Sequence, residues 1–141
     1  MKLWQMLWEF PQTLLGWIVF RLLKIENKSD FKGRLLCFFK REGRVSNFLS
    51  GVSLGFYILL PVSSNSEETI MHEYGHCLQS RKWGWLYLFV IGIPSLFNNL
   101  RGRIVYKGWT RGRARKDYYS RWPEKEADFL GGVVREGKNY G

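Results

Sequence analysis

SEETIMHEYGHCLQSRK, residues 66–82, is the stretch on which the fold turns. Ser66 fits a helix N-cap, and the pattern after it predicts a helix over 67–81. On such a helix His72 and His76 stand at i and i+4, one turn apart on one face. Two imidazoles so placed reach a single metal ion at about 2.0–2.1 Å. Glu73 lies between them and projects toward the open coordination position, where a carboxylate acts as general base. These are the only 2 histidines in the chain.

Two imidazoles do not complete a catalytic zinc site, which usually has three protein ligands plus water. A third ligand must therefore be an acid or a cysteine. The pattern with a third histidine six residues on is excluded, because position 82 is Lys. Downstream, Glu124, Glu126 and Asp128 form an acidic cluster. On a helix Glu124 and Asp128 share a face, and Glu126 points elsewhere as a solvated charge. Glu124 is then the third ligand, the alternative being an acid that simply suits a helix first turn. Asp128 fits an acceptor for the far nitrogen of a ligating imidazole. Tyr118, Tyr119 and Arg121 lie near Glu124 in sequence and are possible transition-state stabilisers or surface groups. Gln79, three residues after His76, either packs under the site or bonds the apolar segment that follows. Cys77 reads as a small buried residue, and 2 cysteines make no disulfide framework for a domain of this size.

HEYGH followed by Glu124-Lys125-Glu126-Ala127-Asp128 resembles the gluzincin metallopeptidases. In membrane-associated members, such as the CAAX prenyl protease-like group, the Glu of that element is the third zinc ligand and the Asp supports a histidine. The chain looks closer still to small bacterial membrane-associated metallopeptidase-like proteins of minimal-gluzincin type. The likeness runs over roughly residues 50–132, through His72 to Ser80, Leu86 to Ser95 and Tyr118 to Asp128. It departs from the pattern at Trp122-Pro123, where a Thr cap is expected.

Around this core, residues 48–62 carry the period-two alternation of a strand over 52–60, ended by Pro61. Such a strand serves as an edge for an extended peptide or as an ordinary core strand. Residues 24–47 are polar and basic and read as loop and turn. Residues 122–134 read as a helix with Pro123 at its first position and Gly131-Gly132 after its end. Two segments are apolar and aromatic: 3–23, interrupted by Glu9 and Pro11, and 85–100, broken by Pro94. Both are short for a span of roughly 20 residues and suit interfacial or re-entrant helices, with Trp4, Trp8 and Trp17 near headgroups.

Hydrophobic residues make up 45% of the 141 residues and the net charge is +10. That composition excludes a disordered chain. Basic residues cluster at 21–44 and 101–116, each cluster following an apolar stretch, which suits an anionic membrane surface better than nucleic acid. The expectation is one α+β domain over 1–141, with an apolar N-terminal helix over 1–23 and a zincin-like core over 48–132. That core would hold an active-site helix, a short sheet with an edge strand, and membrane-associated helices. The expected function is zinc-dependent hydrolysis of a peptide or protein substrate at a membrane, with Glu73 activating zinc-bound water and the basic segments on the cytoplasmic side. The alternative is a zinc-stabilised structural or peptide-binding module without catalysis.

Overall fold

The structure is a computed structural model and describes residues 2–135. It is α+β, with a four-stranded sheet and helices on both faces. Helix α1 (Leu3–Trp8) and helix α2 (Phe10–Leu22) open the chain. Strands β1 (Ile25–Phe31) and β2 (Arg34–Phe39) follow, then the short helix α3 (Arg44–Phe48). Strands β3 (Val52–Leu54) and β4 (Tyr57–Pro61) lead into helix α4 (Glu67–Trp83). Helices α5 (Ile93–Val105), α6 (Arg111–Ser120) and α7 (Glu124–Gly131) complete the order.

Residues 24–47 are not loop. They hold an antiparallel hairpin in which Phe31 pairs with Arg34 across Lys32-Gly33. Both turn residues have positive φ, 52° and 77°, the geometry of a two-residue turn whose twist matches that of the strands. The hairpin escapes a periodicity reading for two reasons. IENKSDF in β1 is exposed along most of its length, and RLLCFF in β2 is apolar without alternation because it is a central strand. The expected strand over 52–60 is likewise two strands, turned at Gly55-Phe56. Gly55 adopts positive φ, which ends β3 after three residues.

The strand order is β1-β2-β4-β3. β2 and β4 run parallel in the middle, and β3 is an edge. One sheet face packs Cys37, Phe39 and Leu59 against Val19, Phe20 and Leu23 around the end of α2. The other packs Leu36, Ile58 and Leu60 against Ile70, Tyr74 and Cys77 of α4. Cys77 is thus the small buried residue its position suggested, and both cysteines are free.

The apolar N-terminal segment is two helices rather than one. Pro11 cannot supply the amide hydrogen that would continue α1 into α2. At the break, the Glu9 carboxylate accepts both terminal nitrogens of Arg34, at 3.0 and 2.7 Å. Arg34 and Glu9 are fully buried, so Arg34 does not belong to the cationic surface where its sequence neighbours place it. Ser80 of α4 donates to the same carboxylate at 2.8 Å. The second apolar segment also divides. A π-helical turn (Leu88–Gly92) precedes α5, where Pro94 sits in the first turn and again withholds an amide hydrogen. No helix among the described residues is long and apolar enough to cross a membrane.

Candidate metal centre

Ser66 caps α4, accepting the Thr69 amide at 3.2 Å, and the helix then runs along the sheet beside β3 and β4. Its other side meets α7 with little separation. A Cβ added at Gly75 would lie 1.9 Å from the Ala127 carbonyl oxygen, and one at Gly131 would lie 2.1 Å from the Met71 carbonyl oxygen. Backbone therefore rests on backbone, with no side chain between. That contact brings residues 124 and 128 to the histidines. Glu124 opens α7, with Pro123 as its N-cap residue rather than its first helical position, and Gly132 closes it in the left-handed conformation at φ 72°.

His72, His76 and Glu124 converge, each buried, with their ligand atoms within 4.8 Å of one another. Glu124 Oε2 lies 3.2 Å from His72 Nε2 and 3.1 Å from His76 Nε2. The other oxygen of Glu124 accepts the Ser95 hydroxyl at 2.6 Å, which fixes the carboxylate plane. Each imidazole is tied at its far nitrogen. His72 Nδ1 donates to Asp128 Oδ1 at 2.6 Å, and His76 Nδ1 donates to Gln79 Oε1 at 2.7 Å. These acceptors select the tautomer that turns both Nε2 atoms toward Glu124. Two imidazole nitrogens and one carboxylate oxygen, aimed at one point and held from behind, fit a metal ion.

The electrostatics follow from burial and pairing. Burial opposes charge on His72, but Asp128 and Glu124 outweigh it and raise its pKa to about 9. His76 is raised as well, against its burial, chiefly by Glu124. Burial would push Glu124 up, yet the two imidazoles hold it well below the carboxylate range. Asp128 is lowered against its burial by His72 and Arg135. An imidazole ligates only when neutral, so a cation taken up here displaces protons from the rings.

The supporting groups extend outward. Gln79 donates its amide to the Pro123 carbonyl at 3.0 Å and to Glu126 Oε2 at 2.9 Å. Glu126 is accordingly not a free solvated charge, since it holds Gln79 and also takes Lys82 at 2.8 Å. Arg135 grips Asp128 and also pairs with Glu68 of α4. Gln79→Leu is expected to leave the fold intact and to weaken metal affinity about 10–100-fold, the usual loss for a supporting partner of a ligand. Competition with a chelator of known affinity measures it, and an unchanged constant would make Gln79 a packing residue only.

Glu73 lines the same cleft as the triad, a cavity of about 880 Å³. Ser53 of β3 donates its hydroxyl to Glu73 Oε2 at 2.7 Å or to the Glu73 carbonyl at 2.8 Å. Glu73 Oε1 faces Gly51, where an added Cβ would lie 3.2 Å away. Tyr118 and Tyr119 both line the cleft. The Tyr119 ring stands edge-on to His72, centroids 5.1 Å apart, and the Arg135 guanidinium lies 3.3 Å from its centroid. Burial and the Glu124 charge raise the Tyr118 phenol far up. Arg121 is not brought to the site. Its guanidinium turns back to Asp117 at 3.1 Å and is absent from the cleft lining.

Ser53, Ser95 and Arg135 carry no spacing signal relative to the motif, so sequence reasoning misses them. Gln79 does carry one, its position one turn after His76. No family model, curated protein or solved structure matches this chain. The likeness to gluzincins thus rests on the motif residues themselves.

Proposed function

We propose that the chain is a zinc-dependent peptidase in which Glu73 is the general base. The observation that carries this reading is the placement of Glu73. Its carboxylate lines the cleft with the three ligating groups, and among the described residues Oε1 has no hydrogen-bond partner while Ser53 holds Oε2. Two imidazoles and one carboxylate suit zinc, and three protein donors beside an open cleft match a catalytic site. A purely structural site closes with four. That count favours catalysis over a zinc-stapled binding module.

When bound, the ion supplies Lewis acidity that lowers the pKa of water and polarises a carbonyl. The chain's own residues then do the following. Glu73 Oε1 accepts a proton from the attacking water and delivers it to the leaving amine nitrogen. Tyr118, kept protonated by its surroundings, donates a hydrogen bond to the developing oxyanion. Tyr119 and Asp128 keep the His72 ring in place. The edge strand β3 offers backbone to an extended peptide, but Tyr87 already donates to the Ser53 carbonyl at 3.0 Å. By the alternation of a strand, the next outward-facing position is Gly51, at the cleft.

Metal analysis of the purified protein tests the reading. One zinc per chain is expected for the wild type, with little retained by Glu124→Ala. A wild type without stoichiometric metal, or Glu124→Ala with full metal, would sink it.

A further inference from the structure

The outer faces of two elements are apolar where a folded domain is usually polar. Along α5, Ile93, Leu96, Phe97, Leu100 and Ile104 form a stripe at helical spacing, and all are exposed, Phe97 to 66% and Ile104 to 72%. The buried side of that helix holds Asn98 and Gly102. Its amphipathicity is thus inverted relative to a helix that packs on a core. On α2, Phe10, Leu14, Trp17, Ile18 and Leu22 are exposed in the same way. The two elements meet one cavity: Leu15 and Val19 of α2 line the cleft together with Ile93 and Leu96 of α5. Leu15, Ile93 and Leu96 are themselves exposed, so the rim of the cleft is part of the apolar face. The N-terminal layer is pinned to the second segment, where Trp85 Nε1 donates to the Leu7 carbonyl at 2.8 Å, and to the end of α4, where the Arg81 carbonyl accepts Trp8 Nε1 at 2.9 Å.

Charge decides what covers this face. Residues 74–116 contain no acid and nine basic residues. Residues 1–25 contain one acid, Glu9, which is fully buried against Arg34. Lys82, Arg101 and Arg115 pair with Glu126, Asp117 and Glu68, and the other six cations of that stretch leave the segments that carry the apolar face net positive. Arg103 of α5 stacks at 4.5 Å on the exposed ring of Phe48, which lines the cleft, and Arg113 of α6 stacks on Trp109 at 4.0 Å, so cations are interleaved with aromatics. Two copies meeting through this face would bring like charges together. An anionic lipid surface satisfies both the apolar stripe and the cations.

We propose that the face of α2 and α5 docks on an anionic bilayer, seating the cleft mouth at headgroup level, and that the chain acts on polypeptides held at that surface. The second clause rests on the peptidase reading; the first does not. No span is involved. The helices lie on the membrane, with Phe97 and Ile104 among the groups that enter it and the cations at the phosphates.

Vesicle flotation with the full chain tests the docking. The wild type is expected to float with phosphatidylcholine vesicles containing phosphatidylglycerol, at least about 10-fold more than with phosphatidylcholine alone. Raised salt should reduce the difference. Phe97→Glu with Ile104→Glu, two exposed positions outside the metal centre, should abolish flotation with metal content and melting temperature unchanged. Failure of the wild type to float overturns the proposal. So does a dimer in gel filtration that the double variant dissolves while vesicles bind neither protein. For the substrate, one peptide is compared free and acyl-anchored to vesicles. Cleavage of the anchored form should exceed that of the free form at least about 10-fold, and the double variant should lose only that advantage. Equal cleavage of both forms overturns the substrate clause. Cleavage of neither sinks the peptidase reading and the substrate clause with it, while flotation still decides the docking.

Discussion

Glu73→Gln is expected to keep the metal and lose hydrolysis. The amide matches the carboxylate in shape, and its oxygen still accepts from Ser53, which lies 2.7 Å from Glu73 Oε2 in the native protein. What the amide cannot do is take a proton at the atom facing Gly51. Removal of a general base costs about 10²–10⁴ in rate. The ligating atoms are untouched, so zinc content should equal that of the wild type. Turnover of a quenched fluorescent peptide library, read beside metal analysis of the same samples, measures both. Equal turnover would leave Glu73 without a chemical role, and no turnover by either protein would return the chain to a zinc-stabilised binding module.

Gly75→Ala has a sign that separates local from tertiary physics. In an isolated helix the change would stabilise by about 1 kcal/mol, because glycine is the poorer helix former. Here the new methyl would sit 1.9 Å from the Ala127 carbonyl oxygen and 2.6 Å from its carbon, both backbone atoms. α7 must therefore withdraw. Overpacking of this kind costs about 1–3 kcal/mol, which outweighs the propensity gain. The withdrawal also moves Glu124 and Asp128 together, since both ride on α7. The variant should melt lower and hold metal at least about 10-fold more weakly, as expected when a ligand and its support shift at once. Thermal melts with and without added zinc measure this. A melting point at or above that of the wild type would show that the two helices are not locked through this contact.

Much of the centre could be read before the fold. His72, Glu73 and His76 are fixed by one helix, and helix spacing is local. Glu124 and Asp128 were reachable because they too share a face of one helix, and only their meeting with α4 is tertiary. The packing that makes them meet depends on Gly75 and Gly131, whose role lies in what they lack. Ser53, Ser95, Tyr87 and Arg135 belong to four other parts of the chain, and no period links them to the motif. The sheet was half legible. β1 is polar because one edge of the sheet faces water, and β2 is apolar from Leu35 to Phe39 because it is covered on both sides. Neither shows the alternation that marks a half-buried strand. Glu9 looked like an interruption of an apolar helix and Arg34 like one of many surface cations, because each makes sense only with the other.

That pair has a wider bearing. Glu9 joins the first layer of the molecule to β2 through Arg34 and to α4 through Ser80, while Gln12 reaches Ser80 at 3.0 Å and the Gly84 carbonyl at 3.0 Å. Deleting the carboxylate would break a fully buried ion pair, a loss of about 3–5 kcal/mol. The first twenty-odd residues, greasy as they are, cannot be traded for some other sticky sequence. They are a wall of the house and not a doormat, and whatever tugs on them tugs on the helix that carries both imidazoles.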